Sequence, residues 1–129
     1  MILVIDDNPM VRDVVQAMLK SGGHRSISAE NGMVGLRVYE TQPFEGAMID
    51  VDMPGMNGVE VCRELHRRAV EEHRPLVAWL MTGVVRPELI AAASAAGAAG
   101  VLAKPFTKPQ LLECFSESAI RAAEHAFAG

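Results

Sequence analysis

The sequence predicts an α/β fold in which a parallel sheet of five strands carries helices on both faces. Five predicted strands, four of them apolar runs and one more polar, alternate with segments of helical periodicity, and short connections join them. Continuous apolar runs of this length are typical of strands that are buried on both faces of a parallel sheet. Alternating strands and helices fold into such a sheet through right-handed crossovers. We therefore predict one doubly wound domain over residues 1–129.

The first part of the chain contains two predicted strands and two predicted helices. Residues 1–5 are an apolar run, and Asn8 and Pro9 then suit the cap and first turn of a helix. The apolar stripe predicted for this helix consists of Val11, Val14, Val15, Met18 and Leu19. Residues 24–29 form a more polar run, which indicates a strand nearer an edge of the sheet. A second helix is predicted over residues 31–41.

The middle of the chain contains the most informative stretch. Residues 47–49 are an apolar strand that stops at an acid, and a turn rich in proline and glycine follows. Asn57 can cap the next helix. The apolar stripe of that helix consists of Val61, Cys62, Leu65 and Ala69. Residues 75–81 are another apolar run and predict the fourth strand.

The last part of the chain completes the alternation. Residues 86–96 predict an alanine-rich helix, and residues 100–103 predict the fifth strand. Thr107 with Gln110 three positions later matches a capping box for one final helix. The predicted buried face of that helix consists of Leu111, Leu112, Phe115, Ala119 and Ala122.

Composition excludes several classes of protein. The formal charge of −4 and the isoelectric point near 5.5 argue against a nucleic-acid surface, which normally shows a basic excess. The basic residues of segment 63–74 alternate with acids and indicate a solvated helix face. No stretch approaches the length of a secretory signal or a membrane span. We therefore expect a cytoplasmic protein with reduced thiols at Cys62 and Cys114. The start at Met1 and the lack of a linker favour a free-standing chain, monomeric or weakly dimeric, over a segment of a longer kinase or regulator, which stays an alternative.

Polar side chains follow four of the predicted strands. They are Asp6 and Asp7 after the first strand, Asp50 after the third, Thr82 after the fourth and Lys104 after the fifth. The carboxyl ends of parallel strands meet at one edge of a sheet, where ligands of open α/β folds bind. These side chains are therefore expected to form one site.

The ordered set of motifs resembles the receiver domain of bacterial two-component response regulators. The motifs are Asp-Asp after the first strand, D-V-D-M-P-G-M-N-G after the third, Thr-Gly after the fourth and Lys-Pro-Phe after the fifth. The resemblance covers essentially the whole chain and implies a flavodoxin-like sheet with strand order 2-1-3-4-5. It also implies a signalling protein that receives a phosphoryl group from a histidine kinase or histidine phosphotransfer protein and contacts a downstream protein target.

The chemistry of these residue types agrees with that role. The Asp50 carboxylate can accept a phosphoryl group as an aspartyl phosphate if the gathering negative charge is neutralised. Asp6 and Asp7 offer the hard oxygen ligands that Mg²⁺ prefers, so we expect magnesium to be required. Lys104 can pair with a phosphoryl oxygen or with Asp50, and Thr82 can donate its hydroxyl to a phosphoryl oxygen.

The resemblance assigns further roles near the site. It implies that the backbone carbonyl of Asp52 is the third protein ligand of magnesium and that the bond from Lys104 to Pro105 is cis. The Asp52 side chain could change the rate at which water removes the phosphoryl group, or it could be a solvated acid without a kinetic role. Many relatives carry an aromatic switch residue where this chain has Val101. We therefore expect Thr82 to dominate the conformational switch, with Val101 contributing modestly.

Two other functions remain compatible with parts of the pattern. Asp50, Asp52, Thr82 and Lys104 also resemble the nucleophile, acid, threonine and lysine of a haloacid-dehalogenase-type phosphohydrolase. That alternative leaves Asp6 and Asp7 unexplained and has no acidic pair at a strand end after the lysine. The other alternative is an interaction module on the same fold that works without phosphorylation, since a fold does not determine a function.

Overall fold

The computed structural model describes residues 1–128. The strands are β1 (Ile2–Ile5), β2 (Ser26–Ala29), β3 (Gly46–Asp50), β4 (Val77–Thr82) and β5 (Gly100–Ala103). The helices are α1 (Pro9–Ser21), α2 (Gly32–Tyr39), α3 (Gly58–Glu71), α4 (Pro87–Ala95), α5 (Lys108–Cys114) and α6 (Glu117–Ala128). Strands and helices alternate as predicted, although several strands and α2 are a few residues shorter than the apolar runs that predicted them.

The sheet is parallel throughout, with strand order β2-β1-β3-β4-β5. This confirms the predicted order 2-1-3-4-5. Every residue of β1 and β3 is buried, whereas the edge strand β2 is half-buried along most of its length. Because all five strands run the same way, their carboxyl ends lie along one edge.

Helices cover both faces of the sheet, as predicted. On one face, Val15 and Leu19 of α1 pack with Leu111 and Phe115 from the α5 region. We call this the α1–α5 face. The other, the α2–α4 face, buries the predicted stripe of α3 together with side chains from α2 and α4. Alternate residues of β1 enter the two clusters, as expected for a strand buried on both sides.

Side-chain caps fix where the helices begin. The Asn8 side chain accepts hydrogen bonds from the N–H groups of Met10 and Val11 at the start of α1. Asn57 caps α3 in the same way, and Thr107 forms the predicted capping box with Gln110. These bonds satisfy N–H groups that have no partner within the helix.

The prediction of one final helix is wrong, because the chain breaks after Cys114 into α5 and α6. The Ser116 hydroxyl accepts a hydrogen bond from the N–H of Ala119, so a new helix starts three residues after the first one ends. The break changes the phase of the apolar stripe. Ala122, predicted to be buried, is therefore exposed, while Ile120 and Ala123 pack against the α1–α5 face.

The predicted burial of Val14 is also wrong. Its side chain is 47% exposed, because Val15 and Leu19 occupy the line of α1 that faces the sheet. Val14 lies on the flank of that line. Among residues 1–128, no helix combines the length and apolar character needed to cross a membrane.

Candidate functional site

The sheet brings the predicted site residues together at the carboxyl ends of its strands. Asp6 directly follows β1, Asp50 ends β3, Thr82 ends β4 and Lys104 follows β5. Asp50 of β3 pairs with Met81 of β4, and Thr82 at the end of β4 pairs with Ala103 of β5. Asp6, Asp50 and Thr82 are the buried polar side chains of the described residues, each at most 4% exposed.

Lys104 connects two of the buried acids. Its Nζ lies 2.9 Å from Oδ2 of Asp6 and 3.0 Å from Oδ1 of Asp50. Charge-assisted bonds of this length are among the stronger hydrogen bonds in proteins. One half-buried ammonium group therefore serves as counter-ion for two carboxylates, which leaves the site with an excess of negative charge.

A second set of contacts holds Asp6 in place. Its Oδ1 accepts a hydrogen bond of 2.8 Å from the N–H of Asn8, and its backbone carbonyl accepts one of 2.7 Å from Nη1 of Arg12. Arg12 was not predicted as a residue of the site. The only available signal was a cation within the first turns of the helix that follows Asp6 and Asp7.

Three carboxylates form a cluster that could hold a metal ion. One ligand oxygen each from Asp6, Asp7 and Asp50 lies within 4.8 Å of the others. Carboxylate oxygens are the hard donors that Mg²⁺ prefers, so Asp6, Asp7 and Asp50 would be suited to hold this ion. Asp7 is exposed, which allows water to complete the coordination shell.

The electrostatic environment makes ionisation of Asp50 unfavourable. Burial is the largest influence and raises the pKa of Asp50; the hydrogen bond from Lys104 lowers it, the charge of Asp6 raises it again, and the N–H of Asp52 lowers it least, so the pKa remains raised. Burial alone would lower the pKa of Lys104, but its bonds to Asp6 and Asp50 outweigh burial and raise it. The lysine is therefore firmly protonated, and an added cation would favour the ionised form of Asp50.

The Thr82 hydroxyl is engaged with its own loop. Its Oγ1 lies 3.2 Å from both the N–H and the carbonyl oxygen of Val84, and 3.5 Å from Oδ2 of Asp52. The N–H of Val84 donates to Oγ1, so the hydroxyl proton is available for the carbonyl oxygen or for the carboxylate. Sequence reasoning did not predict either interaction.

The remaining predicted residues lie close to this group. Asp52 is exposed, and Val101 is half-buried in β5, where it packs against the α2–α4 face. The Lys104–Pro105 peptide bond is cis, as expected. Gly58 packs directly against the backbone of Asp50, since a Cβ atom at this position would lie 2.1 Å from the carbonyl oxygen of Asp50. No larger residue fits that position without moving the β3–α3 loop.

An apolar groove borders the site on one side. Met10 and Val14 of α1 form one wall, Pro105 and Phe106 form the other, and Lys104 lies at its end. Met10 is 73% exposed, which is unusual for a large apolar side chain. The sequence did not indicate this groove, because Val14 was predicted to be buried.

Comparison with known proteins agrees with the geometry. Residues 2–116 match the model of the response regulator receiver domain. The chain belongs to the response regulator receiver family. This confirms the resemblance stated from the motifs and places the chain among the proteins of two-component signalling. The phosphohydrolase alternative required a different family.

Relatives and solved structures give the same result. The chain is 32% identical over 113 residues to chemotaxis protein CheY-3 of Vibrio cholerae, covering 87% of this chain and 85% of that protein. It is 29% identical over 116 residues to sensor histidine kinase AruS of Pseudomonas aeruginosa, covering 90% of this chain. The chain spans only 12% of that kinase and 16% of the sensory/regulatory protein RpfC of Xanthomonas campestris.

A receiver domain structure from Methanospirillum hungatei superimposes with a TM-score of 0.84 at 25% identity. The match covers 97% of this chain and 96% of that chain. A structure of the Vibrio cholerae chemotaxis protein CheY4 has a TM-score of 0.80 at 28% identity, covering 88% and 93% of the two chains.

Proposed function

We propose that this chain is a phosphoacceptor whose Asp50 receives a phosphoryl group from a histidine kinase or histidine phosphotransfer protein. Residues 1–129 then act as one receiver domain in the cytoplasm, monomeric or weakly dimeric, and signal by contact with a downstream protein. The observation that carries the proposal is the pair of hydrogen bonds that Lys104 donates, one to Asp6 and one to Asp50. They hold the buried carboxylate of Asp50 beside a cation and close to other acids.

The transfer balances without a further reactant. One carboxylate oxygen of Asp50 forms a bond to phosphorus as the bond between phosphorus and the donor's imidazole nitrogen breaks, and the electron pair returns to that nitrogen. Lys104 is close enough to Asp50 to contact an oxygen of the transferred group. The domain thus catalyses its own phosphorylation, and water attacking the same phosphorus removes the group again. It is a signalling protein rather than a metabolic enzyme.

We further propose that Mg²⁺ is the cation of this site. Asp6, Asp7 and Asp50 would hold it through their carboxylates and Asp52 through its backbone carbonyl. The hard oxygen donors and their close spacing suit this ion. When bound, magnesium supplies positive charge that offsets the repulsion between the carboxylates and the incoming phosphoryl group.

Thr82 is the proposed conformational switch. In this structure its hydroxyl lies within hydrogen-bond distance of the Val84 backbone. A phosphoryl group on Asp50 would offer a stronger, charged acceptor, and a move toward it would release the Val84 loop. Val101 lies on the neighbouring strand and is half-buried, so it can repack with that loop but contributes little area.

The apolar groove beside Lys104 is the proposed contact for the phosphodonor. A donor histidine must come within bonding distance of Asp50, so its protein has to cover the surface around the site, where Met10 and Val14 are exposed. Val14→Glu should slow transfer from a phosphorylated histidine phosphotransfer protein by about tenfold. Ala17→Glu, at an exposed position of α1 that does not line the groove, should not. Equal rates for the two variants would refute this contact.

The central test is the intact mass of the full chain after incubation with a small phosphodonor, with and without Mg²⁺. The expected result is one magnesium-dependent phosphoryl adduct that is missing from Asp50→Asn. Asp13→Asn, which changes an exposed acid of α1, is the matched control and should still form the adduct. An adduct that persists in Asp50→Asn, or none in the parent chain, would refute the proposal and favour a module that works without phosphorylation.

A further inference from the structure

The C-terminal helix α6 lies outside residues 2–116, the part that matches the receiver family. It runs beneath the amino ends of the strands, at the edge of the sheet opposite the phosphoacceptor site. Its Ile120 and Ala123 pack against the α1–α5 face, and together they line a cavity with Met1 and Pro75, which precede β1 and β4. Further along, Phe127 packs against the α2–α4 face. The helix therefore connects both faces of the sheet from below.

One side chain of α3 joins α6 to the end of α4. The ring of His66 contacts the ring of Phe127 edge to face, with centroids 5.8 Å apart. The same imidazole lies against the backbone of Gly97, where a Cβ atom would be 2.3 Å from its Cγ. Gly97 has a φ of +89°, a conformation that other residues rarely adopt, so this close packing requires glycine. His66 is thus held between α6 and the turn that joins α4 to β5.

The turn at Gly97 is connected to Thr82 through α4. The loop 83–86 follows Thr82 and leads directly into α4, and α4 ends just before this turn. The turn at Gly97 leads into β5, and Lys104 directly follows β5. The N–H of Lys104 donates a 2.7 Å hydrogen bond to the carbonyl of Thr82. A change at Thr82 that moves α4 would therefore alter the surface on which His66 and Phe127 pack.

The contacts of α6 are weak enough to respond. Ile120, Ala123 and Phe127 are only half-buried, and the ion pair of Arg121 with Glu117 is exposed. Elements with few buried apolar contacts open at a small free-energy cost.

We propose that α6 is a regulatory helix whose docking on His66 opposes phosphorylation of Asp50. In this structure docked α6 occurs together with Thr82 bonded to the Val84 backbone, and this is the arrangement that the proposed docking stabilises. By linkage, occupation of the phosphoacceptor site releases α6, and release of α6 strengthens binding at that site by the same factor. This inference rests on the proposed function.

The first test is hydrogen exchange of the full chain with Mg²⁺ and the phosphoryl analogue beryllium trifluoride. Amides of α6 should exchange about threefold faster when the analogue is bound. Segment 82–86 reports separately whether the analogue has bound. Binding that alters segment 82–86 and leaves α6 unchanged would overturn the coupling but keep the proposed function. A parent chain that binds no analogue would overturn both.

The second test is the reciprocal effect of weakening α6. Phe127→Ala removes the ring that contacts His66, and the affinity for beryllium trifluoride should rise about threefold. The same variant should speed exchange around Gly97 without any analogue, which tests the link independently of phosphorylation. His125→Ala changes an exposed residue of the same helix and should alter neither result. Unchanged affinity and unchanged exchange in Phe127→Ala would refute the proposal.

Discussion

The replacement Asp50→Asn should stabilise the metal-free protein while removing its proposed phosphorylation site. Asp50 is a buried acid with two other acids nearby and one lysine to share with Asp6. Asparagine keeps the size of the side chain and an oxygen that can accept the bond from Lys104. It removes one negative charge and the cost of burying it.

The size of the effect combines the burial of the charge with its interactions with neighbouring groups. At an effective dielectric constant of about 20, Asp6, whose ligand oxygen lies within 4.8 Å, repels the Asp50 charge by at least roughly 3.5 kcal/mol. Lys104 at 3.0 Å attracts it by roughly 5.5 kcal/mol. Lys104 attracts the charge more strongly than Asp6 repels it, so the main cost that asparagine removes is the burial of the charge, while its hydrogen bond from Lys104 offsets part of the lost attraction. The expected gain in the free energy of unfolding is about 1.5 kcal/mol, or about 5 °C in Tm.

The assay is thermal unfolding at pH 7.5 without divalent ions, followed by the fluorescence of Trp79, the single tryptophan. The exposed acid variant Asp13→Asn is the control and should match the parent. Magnesium at ten times its Kd should then stabilise the parent by about 1.4 kcal/mol. It should stabilise Asp50→Asn less, because one proposed ligand has lost its charge.

The pH dependence gives an independent check of the reasoning. The pKa of Asp50 is higher in the folded protein than its ordinary value, so the protonated carboxyl favours folding and this contribution is lost as pH rises through the folded pKa. The advantage of Asp50→Asn over the parent should therefore be small near about pH 4 and grow toward neutrality. A variant that is less stable than the parent at pH 7.5 without metal would refute the argument.

Three further predictions concern neighbouring residues. Lys104→Met should lower the free energy of unfolding by about 1–2 kcal/mol, because two buried acids lose their shared cation. Chemical denaturation measures this loss, and Lys108→Met, at an exposed lysine, is the control. Gly58→Ala should cost at least about 2 kcal/mol and reduce the phosphoryl adduct, since its methyl group meets the backbone of Asp50; an unchanged Tm and adduct would contradict this. Burial raises the pKa of the Cys62 thiol to about 11, so its alkylation at pH 8 should be about 100-fold slower in the folded protein than in denatured protein. Mass spectrometry measures both rates, and equal rates would contradict the burial of this thiol.

The sequence was most informative where local chemistry and chain order coincide. Four of the five strands were marked by an apolar run, and Asp50, Thr82 and Lys104 were identifiable because each lies at the end of such a run. Parallel strands bring their carboxyl ends together, so assigning the strands also predicted which side chains meet. The distances between them depend on twist and register and could not be predicted.

Other features depended on competition between neighbouring signals. The apolar pattern from Leu111 to Ala122 suggested one helix, but Ser116 caps a second one and shifts its buried face. Val14 fits a helical stripe, yet the flank on which it lies is exposed. The partners of the Thr82 hydroxyl depend on the path of the next loop, and no residue type predicts that path.

The bonds of Lys104 also tie the site to completion of the fold. This lysine lies 98 positions after Asp6 and 54 after Asp50, so the three groups meet only once the first, third and fifth strands share a sheet. During synthesis, a chain that has not yet released its fifth strand has the acids without their cation. A molecule without its fifth strand therefore lacks the counter-ion of Asp6 and Asp50. The proposed phosphoacceptor site is complete only in the assembled domain.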